Sequence, residues 1–183
     1  MSDNVELDGL KALRTGSLMQ ILAPILIAVG IFSLGFGSLF GFGGVVAGAS
    51  TLLALEIVGL LLELGAVYMF MKGFSTLREV SPEVGIGRTG SILVLVASIL
   101  LIISVIALFA GAFGLALLSP LAMLLYFIGV ILLAIGFYRV GSKYDEGLVK
   151  IGGILLIFGP LAFIGAILNF VGLGSIIRKK FGQ

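Results

Sequence analysis

The sequence predicts an all-α membrane protein, a bundle of about five transmembrane helices with a short N-terminal interfacial helix. Three observations carry that expectation. First, 60% of the 183 residues are hydrophobic and only 11% are charged, against roughly 25% charged in an ordinary soluble domain. So few charges cannot cover the surface of a water-soluble fold, and lipid removes the need. Second, five stretches, roughly 18–36, 51–71, 91–111, 120–138 and 151–176, have about the 20 mainly apolar residues that a bilayer crossing needs. Third, the basic residues fall in alternate connections. Lys11 and Arg14 precede the first stretch; Lys72, Arg78 and Arg88 lie between the second and third; Arg139, Lys143 and Lys150 lie between the fourth and fifth. The other connections, about 37–50 and 112–119, hold no ionisable residue. The excess of Lys and Arg on cytoplasmic loops then places the N-terminus in the cytoplasm of a multi-pass plasma-membrane protein. One domain, 1–183, is the expected organisation.

Taken in order, Val5, Leu10 and Leu13 alternate with charged residues at roughly helical spacing, which predicts a short helix lying in the headgroup layer. The charges Asp3, Glu6 and Asp8 beside Lys11 and Arg14 do not make the positive leader of a secretory signal. The first span follows Ser17 and runs into the Gly/Phe-rich stretch 36–44; the second ends at Lys72; the third follows Gly90-Ser91; the fourth starts at Pro120, where the missing N–H costs little, and ends at Arg139. The last segment admits two readings. A single fifth span over 151–176 has the apolar length for one crossing and is the first expectation, although it puts Arg178, Lys179 and Lys180 outside. The alternative is a re-entrant hairpin turned at Gly159-Pro160, which needs neighbouring helices to satisfy the exposed backbone.

An internal echo runs through these entries. Arg14-Thr15-Gly16-Ser17 opens the first span, Arg88-Thr89-Gly90-Ser91 the third and, more loosely, Lys150-Ile151-Gly152-Gly153 the fifth. The chain therefore reads as a repeated two-helix hairpin with a further hairpin cut short, the alternative being convergence on basic-then-small residues where spans enter lipid. Such a repeat is parallel, unlike the inverted repeats of many secondary transporters.

Function classes are narrowed mostly by what is missing. Cysteine and histidine are both absent, so thiolate nucleophiles, Cys- or His-ligated metals and His acid–base catalysis are excluded. No cofactor, no metal and no enzymatic activity are expected. A net charge of +2 with dispersed basic residues gives no reason for nucleic-acid binding; membrane lipid, further copies of the chain or other membrane subunits are the expected partners.

The candidate site is Glu56 with Glu63, the only ionisable residues well inside a span and seven residues apart on one helical face. An acid at mid-depth costs at least about 2.5–3.5 kcal/mol on insertion scales and needs a partner or a proton. No Lys, Arg or His lies within any span. The pair can serve as a proton or cation relay, or as an interhelical hydrogen bond that fixes packing, with Gln20, Ser98, Ser104, Tyr126 and Asn169 as possible partners. Gly59, Ala66, Ala107, Gly111, Ala162 and Ala166 have the small-residue spacing for close helix contacts. Gly85-Ile86-Gly87-Arg88-Thr89-Gly90 matches the dinucleotide-binding GxGxxG by letter, but no strand precedes it, and tight turning at the membrane surface is the expected use.

Two stretches carry a family resemblance: 9–18, and 136–144 followed by 149–155. Together they resemble an uncharacterised multi-span membrane family of thermoacidophilic archaea, a domain of unknown function. The resemblance implies a tetraether-lipid membrane and an acidic exterior, with which the uncharged connections agree; it implies no functional residue. The expected role is a structural or accessory membrane component within an oligomer or larger assembly. The alternative is a small proton- or cation-conducting protein using Glu56 and Glu63.

Overall fold

The structure, a computed structural model, describes residues 2–109, 114 and 118–182. Among these it holds six α-helices: α1 (Ser2–Gly37), α2 (Gly41–Val80), α3 (Ile86–Phe109), α4 (Leu118–Lys143), α5 (Gly147–Leu155) and α6 (Ala162–Phe181). Among the described residues four helical stretches, Asp3–Arg78, Pro82–Ser104, Leu118–Lys143 and Gly159–Phe181, are long and apolar enough to cross a membrane; the first of them covers nearly all of α1 and α2.

The helices pair as three antiparallel hairpins. In the first, α1 runs along α2 with Gly9 facing Leu77, Gly16 facing Phe70, Gly30 facing Leu52 and Gly37 facing Gly44. A Cβ on Gly16 would lie 2.6 Å from the Phe70 ring, so its small size sets how closely the helices approach. In the second, Gly90 meets Leu133 and Gly129 while Gly129 meets Val94. The two RTGS entries thus play matching parts. Each supplies a glycine at a helix crossing and a fully buried serine, Ser17 or Ser91, whose hydroxyl donates to the carbonyl four residues back.

The third hairpin corrects the expectation of a single helix through 151–176. Gly152 of α5 packs on Gly165 and Asn169 of α6, and Val149 packs on Gly172, so the chain reverses direction. The physical reason is local. Pro160 has no N–H for the helical ladder, and Phe158 is extended (φ −96°, ψ 96°), so the helix ends at Leu155 and restarts at Ala162. The nine residues of α5 are about 14 Å long and the 20 of α6 about 30 Å. A second correction concerns the N-terminus. The expected separate interfacial helix is instead the first part of continuous α1, and Leu10 and Leu13 are completely buried. They are held there because Glu6, Leu10, Leu13 and Ser17 form one helical stripe against the rest of the bundle.

Each helix packs on two neighbours, in the cyclic order α1, α2, α3, α4, α5, α6 and back to α1. The ring closes tightly at the end that carries the basic residues. There Phe137 meets Phe70 and Phe74 edge-on, with centroids 5.2 and 5.3 Å apart, amid buried Leu77, Val84, Val140, Val149 and Leu173. Because α5 is short, the ring is incomplete towards the other end.

Candidate functional site

Where α5 stops, the centre of the ring opens into a cleft of about 450 Å³. α1 contributes Gln20 and Pro24, α2 Leu60, Glu63 and Phe70, α3 Val94 and Ser98, and α4 Tyr126 and Phe127; the α5–α6 turn and the start of α6 complete it with Ile157, Gly159, Ala162 and Phe163. The lining is mostly aliphatic and aromatic, with four polar side chains set into it: Gln20, Glu63, Ser98 and Tyr126. Glu63 is exposed in this setting, and no Lys or Arg lines the cleft. Tyr126 lies within electrostatic reach of it.

The polar groups include open acceptors beside the donors of Tyr126 and the Gln20 amide. The Gln20 Oε1 is buried with no hydrogen-bond partner among the described residues. The Ser98 hydroxyl spends its proton on the Val94 carbonyl at 2.8 Å, leaving its lone pairs. Pro24 lies within α1 and cannot donate to the Gln20 carbonyl four residues earlier. Among the described residues no group of three or more acidic side chains could hold a metal ion.

The structure separates the two acids of the sequence reading. Glu63 enters the cleft with three of the five expected partners, Gln20, Ser98 and Tyr126. Glu56, two turns along the same helix, is exposed and does not line it. Ser104 is buried away from the cleft with its hydroxyl unpaired, and Asn169 is completely buried at the α5–α6 crossing with both amide atoms unpaired. Of the small residues, Gly59 sits against Ala23 and Ile27 of α1, Ala66 lies beside Gly16, and Ala107 and Ala166 are buried. Ala162 is half-buried at the cleft, and Gly111 lies outside the described residues. The GxGxxG glycines serve packing: Gly85 lies against the Arg78 side chain, Gly87 against the Phe74 ring and Gly90 against α4.

At the basic end a second polar constellation appears that sequence reasoning missed. Glu6, 5% exposed, accepts hydrogen bonds from the Tyr144 hydroxyl and from Lys180 Nζ at 2.6 Å, with Lys143 Nζ at 3.2 Å. Burial by itself would raise its pKa, but the bonds from Lys180, Tyr144 and Lys143 prevail and lower it from the ordinary 4.5 to about 2. The Tyr144 hydroxyl is pushed up in turn, by burial and then by the Glu6 carboxylate that it bonds. Beside this cluster Glu146 accepts from Lys179 at 3.0 Å. Burial opposes its ionisation, yet the Lys179 and Ser175 hydrogen bonds hold its carboxyl below the usual range. Arg14 stacks over Phe170 at 4.6 Å, and Arg139 donates to the Glu83 carbonyl at 2.6 Å. The one sequence signal for Glu6 was its place on the Leu10–Leu13–Ser17 stripe. Together these contacts fasten the N-terminus, the α4–α5 connection and the C-terminal segment to one another.

The profile of one protein family, described as "Protein of unknown function (DUF973)", matches residues 6–182. No curated protein matches the chain, and no solved structure does.

Proposed function

The chain belongs to this family, whose description leaves activity open, and from there we propose that it is a structural or accessory, non-catalytic integral membrane protein. It works as a homo-oligomer or together with other membrane subunits. In this reading α1 to α4 cross the plasma membrane and the third hairpin is re-entrant. Both termini face the cytoplasm, because the basic ends of all three hairpins then meet on one side. Arg178, Lys179 and Lys180, which a fifth crossing would carry outside, join Lys11, Arg14, Lys143 and Lys150 there.

The observation that carries the accessory role is the far half of the first hairpin. There α1, α2 and the turn between them present Phe32, Phe36, Leu39, Phe40 and Phe42 outward, with Phe36 between Phe32 and Phe40 at centroid distances of 6.2 and 5.3 Å. Gly35 and Gly43 on the same tip have no described residue within 4 Å of where a Cβ would stand. Aromatic ridges beside open small positions suit the close van der Waals packing that drives helix association in lipid. Extraction in mild detergent followed by native mass measurement tests this. The reading expects a complex heavier than one 19.0 kDa chain, with copies of the chain or other membrane subunits, and a protein that extracts only as a monomer would defeat it.

A second reading, conduction of protons or cations, is favoured by one observation: Glu63 stands in a cleft with three polar neighbours. Ion flux into liposomes that is present in the wild type and absent in Glu63→Gln would establish it, and equal flux in both would remove Glu63 from the path. Glu56, away from the cleft, is expected to contribute little.

A further inference from the structure

We propose that the central cleft is a binding site for an amphiphilic organic cation, a protonated amine or an amino-substituted aromatic cation on an apolar body, with Glu63 as its counter-ion. Three features of the cleft converge on that class. Its size, about 450 Å³, is in the range of sites that enclose small organic molecules and far exceeds a bare ion. A hydrated metal ion would leave Phe70, Phe127, Phe163 and Ile157 facing water, whereas an apolar body packs against them. The charge is one-sided: Glu63 is a carboxylate with no Lys or Arg among the lining residues, and an acid in an apolar setting needs a proton or a positive partner. Open acceptors are present as well, beside the donors of Tyr126 and the Gln20 amide. The orphaned Gln20 Oε1 and the Ser98 oxygen both call for donors. An anionic ligand would be repelled by the Glu63 carboxylate, while an ammonium or amino group satisfies the acceptors that the protein leaves open.

Access follows from the fold. The cleft lies where the short α5 gives way to the turn that lines it with Ile157 and Gly159, so a ligand partitioned into the apolar half of the bundle reaches it without crossing the tight basic end. Proton and ligand compete for one carboxylate. Among the described residues that line the cleft, Tyr126 from α4 is the one other titratable group, and α1, α3, α5 and α6 contribute none. Binding therefore strengthens as pH rises and Glu63 gives up its proton.

This inference adds a ligand to the accessory reading and does not require ion conduction. Purified protein in nanodiscs, with empty nanodiscs as the blank, is titrated with ethidium, an aromatic cation bearing two amino groups, and its fluorescence is followed. One saturable equivalent per chain is expected, weakened about tenfold or more by Glu63→Gln and by lowering the pH, and unchanged in Glu56→Gln. The uncharged dihydro form of the dye, used anaerobically as competitor, is expected not to displace it. Val130→Trp, which fills the cleft and leaves Glu63 in place, is expected to abolish binding, so the proposal stays testable should Glu63→Gln fail to fold. Binding unaffected by Glu63→Gln or by Val130→Trp, or equal affinity for the uncharged dye, would overturn it. A chain that proved soluble without detergent would instead undo the membrane placement, and the titration would still read out.

Discussion

At the basic end of the bundle Phe70, Phe74 and Phe137 are at most 1% exposed, whereas at the far end of the first hairpin Phe32, Phe40 and Phe42 are 72%, 68% and 86% exposed. The same residue type, on the same pair of helices for most of these positions, is used in opposite ways. The basic end is assembled as a soluble core is, with aromatic edges interlocked, glycines at the crossings and a buried carboxylate held by two lysines and a tyrosine. Among the described residues, the far end is the α1–α2 hairpin with much of its apolar surface exposed. The difference shows that chain-internal packing is concentrated where the hairpins are fastened, and that the remainder relies on whatever surrounds it.

That contrast breaks or sharpens under substitution. The largest effect is expected from Phe137→Ala, which removes the ring common to both edge-on pairs. Large-to-small changes of this kind cost about 3–5 kcal/mol, while Phe42→Ala is expected to stay within about 0.5 kcal/mol; thermal unfolding of both in the same detergent compares the two ends directly. Next comes Glu6. Its folded pKa lies below the ordinary value, so its contribution is complete above about pH 4.5 and is lost as pH falls towards about 2. The contribution is on the order of 3 kcal/mol. Unfolding measured against pH should show that acid loss in the wild type, and Glu6→Gln should be less stable at neutral pH and flatter below pH 4.5.

A smaller effect, of opposite sign at the two ends, is expected from replacing one glycine at each. Gly90→Ala would push a Cβ to 2.7 Å from the Gly129 carbonyl, and overpacking of this kind costs about 1–3 kcal/mol. Gly35→Ala meets no described residue within 4 Å and gains about 0.5–1 kcal/mol of helix propensity. Should Gly35→Ala destabilise the isolated protein, the picture of an unpartnered far end would need revising. Should it leave the monomer sound and break a larger complex, the accessory reading would gain a contact point.

Much of this architecture was legible in the residues, because hydrophobic runs, basic entries and the RTGS echo are local signals. The hairpin logic followed from them. Two features were not legible. The apolar run 151–176 has the length of one span, and whether Gly159-Pro160 kinks a helix or reverses it depends on partners: Gly152 and Gly165 fit face to face, and Gly153 fits against Ala134 and Phe137 of α4. The Glu6 cluster joins side chains 138 and 174 residues apart, which no spacing rule connects. Of the candidate site, Glu63 and three of its polar neighbours were found as residue types within spans. Helical periodicity alone paired it with Glu56, since seven residues return to the same face. It was the short α5, invisible to periodicity, that put an opening beside one acid and not the other.

The most direct test of this account concerns the third hairpin and the side to which it returns the chain. The sequence has no cysteine, so Asn4→Cys, Phe42→Cys and Arg178→Cys each carry a single thiol, to be labelled with a membrane-impermeant maleimide in sealed vesicles of known orientation. The account predicts that positions 4 and 178 react from the same side and position 42 from the other. Labelling of position 178 together with 42, opposite to 4, would mean that the last segment crosses the bilayer, and would contradict it.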